Sequence, residues 1–146
     1  MNNYVSISTP KRNLNNVGRK IVLEQMQKFD NLAKYQIINK YLYLTSTMTI
    51  SKKKYKLNDA ELCDTNRELI YKKIKNILPK VKKNKTFAIN VERKGEHKFT
   101  STELARKLAG SVFDIFPDIK VDLDKPNLIV HVKVLNNKCL IYTEQR

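Results

Sequence analysis

Glycine and proline are scarce in this chain, with three and four residues in 146, and tryptophan is absent. No Gly-rich phosphate loop of the G-x-G-x-x-G or G-x-x-x-x-G-K-[ST] kind is present. The same scarcity excludes collagen-like and Pro/Gly-rich low-complexity architectures. The two cysteines, Cys63 and Cys139, form no C-x-x-C and no metal-ligand spacing, and read as small apolar side chains of a reducing compartment. The two histidines, His97 and His131, stand far apart with no G-x-S-x-G and no His/Cys/Asp cluster beside them. His131 alternates out of phase with Val130, Val132 and Val134, which places it on a solvated strand face. Asp114, Asp118, Asp122 and Asp124 lack the spacing and terminal Glu of a calcium loop and read as turn and surface carboxylates. No apolar run approaches membrane-spanning length and no early basic-then-apolar segment resembles a signal peptide, so the expectation is a cytoplasmic protein with no membrane partner. The expected chain is not an enzyme and carries no cofactor and no metal.

Acidic residues are also few: 14 against 29 Lys and Arg, for a formal net charge of +15. Charge of that sign and size says little about fold and much about partners, which are polyanions. The hydrophobic pattern supports a globular α+β domain, or two small lobes with a boundary near Cys63. Residues 3–9 alternate as a strand. Asn15 or Asn16 is placed to cap a following helix whose stripe is Val17, Ile21, Met26 and Phe29. Residues 35–47 read as one or two strands, and Tyr55 and Leu57 as part of a short one. The pattern sharpens thereafter. Thr65-x-x-Glu68 forms a capping box before a helix carried by Leu69, Ile70, Ile74, Ile77 and Leu78, stopped by Pro79. Phe87, Ile89 and Val91 alternate as a strand. Thr100-x-x-Glu103 opens a second helix with Leu104, Leu108, Val112 and Ile115 on one stripe. A short strand, a turn around Pro126 and two strands joined by Asn136-Asn137 complete the order, a mixed sheet with helices packed on it.

The positive charge is concentrated. Residues 71–98 hold ten basic and two acidic side chains. After the helix face bearing Lys72, Lys73 and Lys75 come Lys80, Lys82, Lys83 and Lys85 in a connector, then Arg93, Lys94, Gly95, His97 and Lys98 in the turn between strand and helix. That turn feeds a helix N-terminus, whose first backbone N–H groups lack intrahelical partners and whose dipole favours an anion. Gly95 allows close backbone approach, and Thr100 and Ser101 add hydroxyls. Cations, a glycine and a helix start in that order are suited to a phosphate.

The run "TFAINVERKGEHKFTSTELARKLAGSVF" followed by "IKVDLDKPNLIVHVKV" resembles the THUMP-domain family, RNA-binding modules of tRNA-modifying enzymes. The matching parts are the strand Phe87 to Val91, Arg93-Lys94, Gly95-Glu96-His97, Phe99-Thr100-Ser101, the Leu-rich helix Glu103 to Val112, and Val121-Asp122-Leu123-Asp124-Lys125-Pro126-Asn127, over about residues 64–144. The resemblance implies a reduced ferredoxin-like lobe at residues 1–62 and a THUMP domain at 63–146. It also implies that Lys80, Lys82, Lys83, Lys85, Arg93, Lys94, Gly95, His97, Lys98, Thr100 and Ser101 contact tRNA in its acceptor-stem region. The given sequence ends at Arg146 with neither the pyrophosphatase-type loop of a 4-thiouridine synthetase nor a methyltransferase fold. The resemblance is therefore nearest to stand-alone THUMP proteins, adaptors that present tRNA to a separate cytidine acetyltransferase. The alternative is the RNA-binding subunit of a split thiolation or methylation enzyme.

Overall fold

Strand β1 (Asn2–Ser6) and helix α1 (Leu14–Gln27) open the computed structural model, which describes residues 1–146. The chain divides into two units, residues 1–60 and 61–146.

The first unit continues with β2 (Lys34–Ile38), β3 (Tyr41–Ser46), the single-turn helix α2 (Lys52–Tyr55) and the start of β4 (Leu57–Asp64). Its sheet order is β2-β3-β1-β4, all antiparallel. The elements therefore follow β-α-β-β-α-β, and only α2 is reduced. Three sequence expectations need correction here. Helix α1 begins earlier than Asn15: its N-cap is Asn13, reached through a 3-10 turn at Lys11–Asn13 and making no side-chain cap bond. Its buried face is Leu14, Gly18, Ile21 and Gln25, while Met26 is 50 % and Phe29 86 % exposed. The helix packs close enough on β2 that a Cβ at Gly18 would fall 2.5 Å from the Tyr35 ring. The segment around Tyr55, expected as strand, is α2, capped by Ser51 Oγ accepting from the Lys54 amide and ended by Lys56 at φ 54°.

The buried carboxylate of Asp30 is the polar knot of this unit. It accepts hydrogen bonds from Gln25 Nε2 (2.9 Å), the Thr47 hydroxyl, and the amides of Thr47 (3.1 Å) and Met48 (3.0 Å). Burial pushes this carboxyl up, but the hydrogen bonds outweigh burial and hold it at about 2.

The second unit contains the end of β4, α3 (Arg67–Ile77), β5 (Thr86–Lys94), α4 (Ser101–Ile115), β6 (Lys120–Val121), β7 (Leu128–Leu135) and β8 (Lys138–Gln145). Strand β5 pairs in parallel with β6 on one side and β7 on the other, and β8 returns antiparallel to β7. A parallel neighbour needs a crossover, which α4 supplies between β5 and β6. The core joins Ile70, Ile74 and Ile77 of α3, Leu104, Leu108 and Val112 of α4, and Leu128, Val130, Val132 and Val134 of β7. Both helices thus cover one sheet face, as their stripes require.

Helix α3 is capped by Asn66, not Thr65. Asn66 Oδ1 accepts from the amides of Glu68 (2.9 Å) and Leu69 (3.1 Å). Thr65 is occupied elsewhere: its hydroxyl donates to the Asn136 carbonyl (3.0 Å) and its amide to that of Asn137 (2.9 Å). His131 is not on a solvated face either. Its side chain is 12 % exposed, stacked on Tyr142 at 4.7 Å, with Nε2 3.0 Å from Glu144 Oε1 and Nδ1 3.2 Å from Asn90 Nδ2. Burial lowers its pKa, against the opposing pull of Glu144. Cys63 and Cys139 interact, which lowers the Cys63 thiol and, with burial, pushes Cys139 up.

Candidate nucleic-acid interface

The turn from β5 into α4 is built around Gly95 and the β7–β8 hairpin. Gly95 has φ +105°, and a Cβ there would lie 2.4 Å from Asn136 Oδ1. Asn136, itself at φ 59°, donates its amide to the Lys94 carbonyl at 2.8 Å. His97 Nε2 lies 2.9 Å from the Asn136 carbonyl, so the hairpin tip and the turn are tied at two points. With Nε2–H donating, Nδ1 carries the lone pair; it is buried and has no partner. The imidazole stacks on Phe99 (5.2 Å), and Arg93 lies over the same ring (5.9 Å) while donating from Nε to Ser101 Oγ at 3.3 Å. Replacing Gly95 by alanine is expected to cost about 1–3 kcal/mol through the left-handed φ and the Asn136 clash. Urea unfolding measures it, and an unchanged midpoint would show that the turn relaxes without glycine.

At the start of α4, Thr100 Oγ1 accepts from the Glu103 amide (3.1 Å) and the Thr100 carbonyl from that of Leu104 (3.1 Å). The cap thus uses one donor and leaves the amides of Ser101 and Thr102 for an anion. Arg93, Lys94 and Lys98 are exposed around them, as are the carboxylates Glu96 and Glu103.

The remaining lysines of the predicted site lie elsewhere. Lys80 ends a 3-10 turn at Leu78–Lys80, and Lys82, Lys83 and Lys85 lead into the opposite end of β5. Eight residue steps of about 3.3 Å separate the two groups by roughly 26 Å. They form two basic clusters, one at each end of a strand. The connector is held by hydrogen bonds from Asn84 Nδ2 (2.6 Å) and Gln145 Nε2 (3.3 Å) to the Lys82 carbonyl, and from the Lys120 amide to that of Lys85 (3.1 Å). A groove of about 600 Å³ opens there, lined by Lys83, Asn84, Lys85, Thr86, Asp118 and Lys120. Lys120 was missed in the sequence because only the parallel β5–β6 pairing brings it in. Lys73 and Lys75, counted with the basic run, instead face Glu61 (3.8 Å) and Asp114 (3.5 Å). The first unit was undervalued: its 60 residues hold eleven basic and three acidic side chains, all eleven exposed.

A family model described as the THUMP domain matches residues 64–144, more than half of the chain. The chain belongs to the THUMP-domain family. Beyond this domain match, a tRNA (guanine(6)-N2)-methyltransferase of Methanocaldococcus jannaschii is 29 % identical over 97 % of this chain and 40 % of its own length. A tRNA sulfurtransferase of Vibrio campbellii is 33 % identical over 47 % of this chain and 14 % of its own. Among solved structures, a 4-thiouridine synthetase in complex with RNA and ATP superposes at a TM-score of 0.69. It is 16 % identical, and the match covers 99 % of this chain and 41 % of that one. The chain therefore spans less than half the length of each of these relatives. This THUMP domain is residues 64–144 of a mixed α/β fold, and no helix is long and apolar enough to cross a membrane.

Proposed function

We propose that this chain is a tRNA-binding module that acts in the cytoplasm and holds tRNA for a modifying active site carried by another protein. The observation that carries the reading is the β5–α4 turn of this THUMP domain. There Arg93, Lys94, Lys98, two free helix amides and the Thr100–Ser101 hydroxyls converge at a hairpin-braced glycine. The cluster Lys80, Lys82, Lys83 and Lys85, joined by Lys120, supplies a second set of phosphate contacts about 26 Å away on the same strand. Two clusters that far apart suit the backbone of a folded RNA better than a single small phosphate compound. A-form RNA hides its bases in a deep, narrow groove, so recognition rests on shape, phosphates and 2′-hydroxyls, here directed at the acceptor-stem region.

The enzyme served is a separate cytidine acetyltransferase in the reading closest to the sequence resemblance, with the chain as a non-catalytic adaptor. A second reading, a subunit for methylation or thiolation, is favoured by the methyltransferase and sulfurtransferase relatives. Binding of folded tRNA against duplex DNA of similar charge, across a salt series, tests the shared part. Tight, salt-sensitive binding that prefers tRNA is expected; equal binding to both would reduce the site to a basic surface. Mass analysis of nucleosides from tRNA of a strain lacking the gene separates the two readings, since the lost nucleoside is acetylated, methylated or thiolated.

A further inference from the structure

Phe29 occupies a backbone position that glycine would hold at less cost. Helix α1 ends in a six-residue closure in which the Asp30 amide donates to the Gln25 carbonyl (2.9 Å) and the Phe29 amide to that of Met26 (3.0 Å). In this motif the residue after the C-cap is left-handed, and it is usually glycine. Here it is phenylalanine at φ 66°, with 86 % of its surface exposed. The ring repays neither the strain nor its exposure by packing within its own unit. It is also not alone. Leu23 (53 %), Met26 (50 %), Leu32 (58 %) and Met48 (44 %) are exposed in the same stretch of α1, its closure and the segment bonded to it. The Asp30 knot bonds both Met48 and Thr47, so the loop bearing Phe29 is fixed rather than pliant. An exposed aromatic on a hydrogen-bonded support, with aliphatic side chains exposed in the same segments, has the composition of an interface anchor.

The surrounding charge identifies the kind of occupant. Every carboxylate in this unit is already engaged. Asp30 is in the knot, Glu24 accepts from the Tyr55 hydroxyl and faces Lys54 (3.8 Å), and Asp59 pairs with Lys52 (2.9 Å). Lys20 and Lys28, close enough to help lower the Glu24 carboxyl, and Lys34 just beyond Leu32, stand exposed with no carboxylate left to pair them. A complement to this surface is apolar at its centre and acidic at its rim. RNA is acidic, but a nucleobase stacks on one ring and leaves Leu23, Met26 and Leu32 uncovered. A lipid layer would not need a ring held in one strained geometry. The methyltransferase relative, matched over nearly all of this chain, has 60 % of its length outside the match, so that protein carries further polypeptide in the same chain.

We propose that the Phe29 surface is a docking site for a protein whose contact patch is apolar at its centre and rimmed by Asp and Glu. This inference does not depend on tRNA binding by the second unit. The test places photoreactive benzoylphenylalanine at position 29 of the full chain and irradiates living cells of the source organism. The same group at exposed Lys40 serves as the control. Expected is an adduct with one protein, absent from the control, through a segment that mixes apolar and acidic residues. That protein, purified, should bind the chain and lose tenfold or more in affinity to the Phe29→Gly variant. The variant itself should melt about 2–4 °C higher, because glycine relieves the left-handed strain. Its tRNA affinity should stay within twofold of the parent, which separates this result from failure of the tRNA reading. An adduct with RNA or lipid, no adduct above the control, or equal partner affinity for Phe29→Gly would overturn the proposal. So would a Phe29→Gly variant that melts lower, since the ring would then have a structural role.

Discussion

A chain carrying Arg93→Ala and Lys94→Ala is expected to bind tRNA roughly ten- to hundredfold more weakly at moderate salt, with a shallower salt dependence. Each phosphate contact contributes up to about −0.9 to the slope of log K against log salt on a duplex, so losing two should flatten it by up to about 1.8. The Lys82→Ala, Lys83→Ala, Lys85→Ala triple variant should flatten the slope independently. The clusters stand roughly 26 Å apart, beyond the range in which substitutions couple, so their free-energy losses should add to within about 0.5 kcal/mol. The Arg93 side chain also packs over Phe99 and bonds Ser101, so unfolding curves must accompany the binding data. Salt-series titration by fluorescence anisotropy measures both quantities. If the turn variant binds as the parent does, the β5–α4 turn leaves the interface and the connector lysines carry it alone. Losses well short of additive would mean that the clusters grip the same phosphates, which the length of β5 does not allow.

That separation is legible in the sequence. Lys80–Lys85 and Arg93–Lys98 flank a segment whose alternation marks it as strand, and an extended segment holds its ends apart. Helix α4 and the hairpin at Asn136-Asn137 were legible because local chemistry decides them. Thr100 is free to cap, the stripe Leu104–Leu108–Val112 has helical spacing, and two asparagines suit a two-residue turn. The cap of α3 was not legible to the residue. Thr65 and Asn66 are both competent, and the choice falls to Asn66 because the distant hairpin carbonyls take Thr65. His131 was misplaced for a related reason: period-two alternation assigns it to a face, but only the fold puts Asn90, Tyr142 and Glu144 on that face with it. In the first unit two local features defeat the periodicity. Helix α2 is a single turn, too short to show a period, and α1 stops in a closure where Phe29 leaves the stripe its spacing seemed to extend. Of the candidate interface, the turn residues were readable as a motif. Lys120 was not, since a parallel pairing across α4 brings it to Lys85.

Asp30 illustrates the limit most sharply, and its removal is expected to have the largest effect on stability. Its four hydrogen-bond donors come from Gln25, Thr47 and Met48, up to 18 residues away, and no motif announces them. Asp30→Ala removes the acceptor of the part-buried Thr47 and Met48 amides and the Thr47 hydroxyl and leaves Gln25 Nε2 only its longer bond to the Met48 carbonyl (3.3 Å), at a cost of about 3–5 kcal/mol. Asp30→Asn keeps the shape but turns one acceptor into a donor facing donors, so it should recover only part of that loss. The effect has a defined pH window. The folded carboxyl sits at about 2 against an ordinary 3.8, so the unfolded chain takes up its proton first as pH falls. Ionised Asp30 therefore contributes roughly 2 kcal/mol above about pH 4, and that contribution disappears as pH drops through 4 toward 2. The parent's stability advantage over Asp30→Ala should shrink across the same interval and be constant from pH 5 to 7. Amide hydrogen exchange at Thr47 and Met48 reads the first unit directly, without assuming that both units unfold together. Equal protection of these amides in parent and Asp30→Ala would show that the knot is dispensable. The rigid support inferred for Phe29 would then be lost as well, because the same four bonds hold the loop on which that ring stands.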